Sequence, residues 1–160
     1  MSEAGAEFGR YKLIRKVGAG GMAEIWKAKI DGMAGFEKVF AIKKVLPQLV
    51  EEQGGGFVDL FIEEAKLAAQ LVHPNIVQVF DFGRIGKRDY YIAMEYVAGA
   101  NLARVVHRVV EEGVSMPVHC ALYVIAEAAR GLGYAHTKVD AAGRPFAIVH
   151  RDVSPQNLLL

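Results

Sequence analysis

Two periodicities of apolar and polar residues divide the chain. In its first half, apolar and polar residues alternate over short runs, which is typical of half-buried β-strands. The five runs are YKLIRKV (11–17), EIWKAKI (24–30), VFAIKKV (39–45), IVQVFDFG (76–83) and DYYIAMEYV (89–97). A helical pattern replaces the alternation only between residues 57 and 71, where His-Pro-Asn ends it. The glycine-rich stretch 47–56 before this helix is predicted to be a flexible connection.

From residue 102 onwards the pattern is helical. Residues 102–113 and 117–136 have the apolar spacing of two helices, and the second is the longer and more apolar. We therefore predict an α+β fold, in which a five-stranded antiparallel sheet carrying one helix is followed by a helical region. The predicted divisions are an N-terminal extension at 1–10, a sheet region at 11–94, a connection at 95–101 and a helical region at 102–160.

Composition narrows the classes of protein to which the chain can belong. Hydrophobic residues make up 52% of its 160 residues and charged residues 23%, which indicates a globular protein. The formal net charge of +1 argues against a nucleic-acid partner bound through broad electrostatics. Glu127 and Arg130 interrupt the longest apolar stretch, so no membrane span is predicted, and we expect a cytoplasmic location. The single cysteine, Cys120, lies in an apolar run and is predicted to be buried.

The sequence GAGGMA at 18–23 places three glycines in the turn between the first two predicted strands. Backbone without Cβ atoms can approach a phosphate closely, although an ordinary hairpin turn explains the same residues. A P-loop is excluded because Ala23, Glu24 and Ile25 stand where Gly-Lys-Ser/Thr is required. A dinucleotide fingerprint is excluded because a strand, not a helix, follows the loop.

The predicted helix contains a glutamate that is expected to pair with a cationic side chain. Glu64 lies within a predicted apolar stripe and is therefore expected to be buried or nearly so, where an unpaired charge is costly. The stripe consists of Phe57, Leu60, Phe61, Ala68 and Leu71. Lys43 shares a strand face with Ala41, whereas Lys44 points to the other face, so we predict a Lys43–Glu64 pair. Such a pair either belongs to a functional site or only joins the helix to the sheet as a structural contact.

Taken in order, these motifs resemble the protein kinase family, and the resemblance spans nearly the whole chain. The Gly-x-Gly loop, Ala-x-Lys at 41–43, the helix glutamate and HPNIV at 73–77 occur in the order that kinases have them. MEYVAGANL at 94–102 and His-Arg-Asp…Asn at 150–157 follow. GAGGMAEI is similar to bacterial kinases of the eukaryotic-like serine/threonine type. The resemblance implies that 11–94 is a kinase N-lobe, 95–101 the hinge and 102–160 a partial C-lobe ending at the catalytic loop.

The resemblance implies an ATP site with the glycine loop above the nucleotide. The residues of that loop are Val17, Gly18, Ala19, Gly20, Gly21, Met22, Ala23, Glu24 and Ile25. Val17, Ile25 and Ala41 would form the roof over adenine, and Leu159 its floor. Ala23 stands where many kinases carry a third glycine, and alanine still permits a tight turn.

The remaining nucleotide contacts are implied in the same way. Lys43, positioned by Glu64, would hold the α- and β-phosphates. Met94 would be the gatekeeper, while backbone atoms of Glu95 and Val97 would bind adenine. Asn101 would lie near the ribose.

The catalytic loop implies the chemistry and its acceptor. Asp152 would accept the proton of the attacking hydroxyl, and Asn157 would bind Mg²⁺. Expected partners are ATP, Mg²⁺ and protein substrates with Ser or Thr hydroxyls. Serine/threonine kinases usually have lysine where Ser154 stands here, which weakens the inference about the acceptor. The sequence HRDVSPQN lacks the Ala-Ala-Arg run of tyrosine kinases, so Ser/Thr remains the favoured expectation.

The Asp-Phe-Gly magnesium motif of kinases does not occur at its usual place within these 160 residues. The kinase pattern predicts it about 15 to 20 residues past Leu160. Two interpretations stay open: a fragment of a longer kinase, or a truncated pseudokinase that binds a nucleotide or a partner without catalysis. On either interpretation we expect the isolated 160-residue polypeptide to be poorly soluble and unable to phosphorylate proteins.

Overall fold

The computed structural model describes residues 4–32 and 35–160, and for residues 52–55 the backbone alone. The strands are β1 Glu7–Phe8, β2 Tyr11–Ala19, β3 Ala23–Asp31, β4 Glu37–Val45, β5 Val79–Ile85 and β6 Asp89–Glu95. The helices are α1 Pro47–Ala69, α2 Leu102–Glu111 and α3 Val118–Thr137, followed by a 3₁₀ turn at Pro155–Asn157. Two compact units result: unit 1 comprises residues 1–72 and 77–96, and unit 2 comprises 73–76 and 97–160.

One antiparallel sheet forms the framework of unit 1, with the strand order β1-β2-β3-β4-β6-β5. All five predicted strands are present, and the α+β class is confirmed. The sheet has a sixth strand, however, because Glu7 and Phe8 pair with Lys12 and Tyr11 of β2. The prediction of a five-stranded sheet was therefore one strand short: part of the predicted N-terminal extension pairs with the sheet.

The sheet curls so that its first strands meet its last ones. Arg10, Tyr11 and Tyr91 all donate hydrogen bonds to one carboxylate oxygen of Asp81, at 2.8, 3.0 and 3.1 Å. Because β2 and β5 are not neighbours in the sheet, the bonds from Arg10 and Tyr11 link its two ends, and Tyr91 of β6 adds a bond from the strand next to β5. Inside the curl lies a first core of Phe8, Tyr11, Leu13, Trp26, Ala28, Phe40, Ile42 and Ala93.

Helix α1 begins ten residues earlier than predicted, at Pro47. The stretch predicted as a flexible connection is helical, although each interior glycine costs a helix about 1 kcal/mol. Packing offsets this cost, because Val50 and Phe57 both contact the second core, which lies between α1 and the sheet. The buried residues of that core are Val45, Phe61, Ala65, Val79 and Ile92.

Unit 2 is organised around α3. The segment His73–Ile76 belongs to this unit, although α1 precedes it and β5 follows it. Asn75 donates from its side chain to the Glu127 backbone carbonyl at 2.9 Å, and the ring of His73 packs on Tyr134 with centroids 5.1 Å apart. A Cβ on Gly131 would lie only 3.0 Å from the Asn75 carbonyl, so glycine allows this close approach.

The prediction that Cys120 is buried was wrong. Cys120 is exposed, and so are its apolar neighbours Val118, Leu122 and Tyr123. The apolar run predicts a helix that is covered, but within the described residues nothing covers this end of α3. Among residues 4–32 and 35–160, no helix is long and apolar enough to cross a membrane.

Candidate functional site

The glycine loop of unit 1 is a tight turn with an open tip. The Gly20 amide donates to the Ala23 carbonyl at 2.9 Å, and the Leu46 amide donates to the Met22 carbonyl at 3.2 Å. A Cβ on Gly21 would meet no atom within 4 Å. The backbone of the tip is therefore open on the Cβ side of Gly21.

The sheet register places two of the three predicted roof residues, Ile25 and Ala41, on one face. Ile25 of β3 lies opposite Lys43, and Met94 of β6 lies opposite Ala41. Residues two apart on a strand share a face, so Ala41 and Lys43 point the same way. Val17 lies at a register irregularity between Lys16 and Gly18 and is partly exposed. Ile25, Ala41 and Lys43 thus belong to one surface of unit 1.

Lys43 and Glu64 form the predicted pair. The Nζ atom of Lys43 lies 3.2 Å from Oε1 of Glu64 and 5.8 Å from the centroid of the Phe61 ring. Lys44 lies on the other face, with its Nζ atom 3.7 Å from Asp89 Oδ1 and 5.0 Å from the Phe8 ring centroid. The structure therefore places Lys43, not Lys44, beside the helix glutamate.

The expectation that Glu64 is buried was wrong, because its side chain is 63% exposed. The apolar stripe of α1 is centred on Phe61 and Ala65, which are buried, whereas Leu60 is 67% exposed. At about 100° per residue, Glu64 lies some 80° from that centre, at the edge of the packed face. From this edge it still reaches Lys43.

At the end of β6, the backbone amide of Glu95 already has a hydrogen-bond partner. The Glu95 amide donates to the Gln78 carbonyl at 2.8 Å. Tyr96, which the sequence analysis did not single out, receives a hydrogen bond from Arg15 at 3.4 Å. The Nζ atom of Lys27 also lies 4.6 Å from the centroid of the Tyr96 ring. Tyr96 thereby ties the end of the sheet region to β2 and β3.

In unit 2, a short ladder joins Asn101 to Leu159. Leu102 donates to the Leu158 carbonyl at 2.8 Å, and Leu160 donates to the Ala100 carbonyl at 2.9 Å. The side chain of Asn101 accepts a hydrogen bond from the Arg104 amide at 2.9 Å and so caps α2. Asn101 and Leu159, which the sequence analysis predicted near the ribose and at the adenine floor, are therefore neighbours.

Asp152 and Asn157 are held together across the HRDVSPQN loop. The side-chain amide nitrogen of Asn157 donates to the Asp152 carboxylate at 2.8 Å and to the Asp152 backbone carbonyl at 3.0 Å. Arg151 has a positive φ of 65°, and the Asp152 amide donates to Nδ1 of His150 at 3.3 Å. The sequence motif predicted both side chains, but only the folded loop brings them into contact.

This arrangement suits an oxygen-ligated cation. Because the side-chain nitrogen of Asn157 binds Asp152, the side-chain oxygen of Asn157 is the atom that could bind a metal. Carboxylate and amide oxygens are ligands that Mg²⁺ prefers. Among residues 4–32 and 35–160, no three or more His, Cys, Asp or Glu side chains are grouped so that they could hold a metal ion by themselves.

Comparison with known proteins identifies the family. A profile described as "Protein kinase domain" matches residues 11–160. The chain belongs to the protein kinase family. Among curated relatives, this chain is 44% identical over 153 residues to "Tyrosine-protein kinase MasK" of Myxococcus xanthus. The alignment covers 96% of this chain and 23% of MasK. The chain is 34% identical to "Serine/threonine-protein kinase PknJ" of Mycobacterium tuberculosis, over 98% of this chain and 23% of that protein.

A solved kinase domain has the same fold. The kinase aligns with the PknI kinase domain of Mycobacterium tuberculosis at a TM-score of 0.72 and 29% identity. The alignment covers 98% of this chain and 58% of the PknI chain. The chain therefore spans little more than half of a solved kinase domain and less than a quarter of the curated relatives named above.

Proposed function

We propose that the kinase transfers the γ-phosphoryl group of ATP to Ser and Thr hydroxyls of proteins. The observation that carries this proposal is the Lys43–Glu64 pair, at 3.2 Å, on the same sheet face as Ile25 and Ala41. A lysine on that face gains a fixed direction from the glutamate, and a directed ammonium is suited to bind phosphate oxygens. Lys43 and Glu64 would act here as a phosphate-binding pair and not as a structural staple alone.

The chain's own groups fit a triphosphate nucleotide with Mg²⁺. Backbone at the open tip formed by Gly20 and Gly21 would cover the phosphates, and Val17, Ile25 and Ala41 would cover adenine. Met94 and Glu95 would line the adenine edge. When bound, MgATP supplies the phosphoryl group and a cation that offsets negative charge on the transferring oxygens.

Asp152 would accept the proton of the attacking hydroxyl. Its carboxylate is oriented by the Asn157 amide at 2.8 Å, and orientation contributes strongly to phosphoryl transfer, in which the protein does little covalent chemistry. The acceptor oxygen bonds to the γ-phosphorus while the bond to the β-phosphate oxygen breaks, and ADP leaves. The amide oxygen of Asn157 would hold the cation.

Serine and threonine are the proposed acceptors, although the named relatives differ in this respect. MasK is described as a tyrosine kinase and PknJ as a serine/threonine kinase. The loop HRDVSPQN lacks an Ala-Ala-Arg run, which favours Ser/Thr, whereas Ser154 stands where lysine is usual in that class. The acceptor is therefore part of what the experiment must measure.

The test is phosphate transfer from γ-labelled ATP by the full-length gene product. We expect Mg²⁺-dependent labelling of protein, with the label on phosphoserine or phosphothreonine after hydrolysis. Asp152→Asn should lower the rate at least 100-fold, about the loss that follows removal of one key catalytic group. The control Asp59→Asn changes an exposed aspartate on α1 and should keep the rate. Equal rates for the two variants would refute the role of Asp152, and label on tyrosine would refute the acceptor.

A further inference from the structure

Three side chains brace the hairpin that carries the glycine loop. Lys16 lies on β2 before the loop, and Glu24 lies on β3 after it. The Nζ atom of Lys16 is 2.5 Å from Oε1 of Glu24, and the indole Nε1 of Trp26 donates to Oε2 at 3.0 Å. Both carboxylate oxygens are thus occupied by partners from the two strands of the hairpin.

The brace lies on the face of the sheet that the proposed phosphate site does not use. Glu24 pairs with Lys44, and the next residue, Ile25, pairs with Lys43. Because successive side chains on a strand alternate between faces, Glu24 points away from the face of Lys43. Glu24 therefore lies within the glycine-loop sequence without its side chain being directed at the nucleotide face.

The backbone pairing of the hairpin has one irregularity beside the loop. The register between β2 and β3 shifts between Lys16 and Gly18, so regular pairing is interrupted beside the loop. The Lys16–Glu24 contact spans that interruption. Trp26 anchors the other end, because its ring is buried in the first core with 6% exposure.

The charge on Glu24 is stabilised by its partners. The hydrogen bond from Lys16 lowers the pKa of the Glu24 carboxyl, with burial opposing it and the Trp26 indole adding to it. The Glu24 side chain is only 23% exposed, so solvent screens the pair less than it would screen a pair on the open surface.

We infer that Glu24, held by Lys16 and Trp26, is a positioning residue that fixes the glycine loop for nucleotide binding. The inference rests on the proposed function, since it assigns a role within the same site. The brace keeps β2 and β3 at a constant separation at the base of the loop. The loop amides then need not be ordered when the phosphates bind, which favours affinity for ATP.

The test uses the full-length gene product with Lys16→Met, Glu24→Gln and the double variant. We expect each change to raise the KM for ATP about two- to fivefold and to leave kcat within about twofold, as loss of one partly exposed ion pair implies. The double variant should match the single variants, because removing either partner already removes the pair. Lys16→Arg should restore the wild-type KM.

A second ion pair in the same sheet provides the matched control. Lys29 and Glu37 join β3 to β4 with the same separation of eight residues, but they do not flank the loop. Lys29→Met and Glu37→Gln should leave the KM for ATP unchanged. Without nucleotide, amide hydrogen exchange at residues 18–23 should be faster in Glu24→Gln than in Glu37→Gln.

Two outcomes would overturn the inference. One is an unchanged KM and unchanged exchange in Glu24→Gln. The other is an equal effect of Glu24→Gln and Glu37→Gln, which would indicate general destabilisation of the sheet. Failure of the proposed function would look different, because then Asp152→Asn would not lower phosphate transfer while the exchange difference would persist.

Discussion

The two units bury their apolar residues to very different degrees. Both hydrophobic cores described above belong to unit 1, where Tyr11, Leu13, Ile42 and Val45 have at most 2% exposure. In unit 2, by contrast, Leu122 is 65% exposed. Among the buried apolar residues of the described chain, only Leu102 and Ala135 belong to unit 2. Apolar packing therefore contributes more to unit 1 than to the described part of unit 2.

The candidate site residues follow the same division. Lys43 projects from a strand that is paired on both sides, and its Nζ atom lies 5.8 Å from the centroid of the buried Phe61 ring. Asp152 and Asn157 are exposed and are joined by hydrogen bonds within a loop. An ion pair with a helix that packs on the sheet therefore directs Lys43, whereas hydrogen bonds within one loop direct Asp152.

Truncating one leucine in each unit should give the largest difference. Leu13→Ala removes a side chain with 2% exposure, which typically costs about 2–5 kcal/mol. Leu122→Ala changes an exposed side chain and should alter the free energy of unfolding by no more than about 0.5 kcal/mol. Denaturant unfolding of the 160-residue polypeptide, followed by circular dichroism at a low protein concentration that limits the expected association, measures both. Similar losses would mean that α3 is covered in solution and that the units do not differ as described.

Removing the charge of Glu64 should affect activity and hardly affect stability. The carboxylate is exposed, so its ion pair contributes at most about 1 kcal/mol to folding. Without it Lys43 loses its orientation, and we expect Glu64→Gln to slow phosphate transfer about tenfold or more. Glu63→Gln, which changes the exposed neighbour on α1, is the control for transfer assays and thermal unfolding. An unfolding midpoint that falls as steeply as the activity would contradict this account.

The tyrosines offer a smaller, pH-dependent test. Burial and the hydrogen bond to Asp81 raise the pKa of Tyr91 to about 12. An unfolded tyrosine titrates near about 10, so the contribution of Tyr91 is complete below that pH and is lost as the pH rises to about 12. Tyr91→Phe should therefore lower the free energy of unfolding by about 1 kcal/mol at neutral pH. The difference in the free energy of unfolding between Tyr91→Phe and wild type should vanish as the pH approaches about 12.

The matched variant in unit 2 is Tyr123→Phe, on exposed α3. It should leave unfolding unchanged at every pH, within about 0.5 kcal/mol. A pH-independent difference between Tyr91→Phe and wild type would mean that the Asp81 network does not stabilise the curled sheet.

Predictability from sequence depended on which interaction decided each feature. The side of the sheet taken by Lys43 was predictable because strand alternation is a local property. The exposure of Glu64 was not, because it depends on where the centre of the helix face meets the sheet. Strand β1 escaped prediction because two residues carry no periodicity, and its pairing is decided by contacts with β2.

The remaining errors have physical causes as well. Helix α1 extends through glycines because Val50 and Phe57 pack on the core, a tertiary effect that outweighs local propensity. Cys120 was predicted to be buried from its apolar neighbours, but hydropathy does not specify what lies over a helix. The contact between Asp152 and Asn157 depends on the backbone path of a loop with a positive φ at Arg151, which the motif alone does not reveal.

The most direct test of the account compares the two adjacent lysines of β4. Lys43→Met and Lys44→Met remove the same group at neighbouring positions, on opposite faces of one strand. In transfer assays with γ-labelled ATP, we expect Lys43→Met to lower the rate about 100-fold or more and Lys44→Met to keep most of it. Equal losses from the two variants, or a larger loss from Lys44→Met, would contradict the assignment of Lys43 as the phosphate-binding lysine.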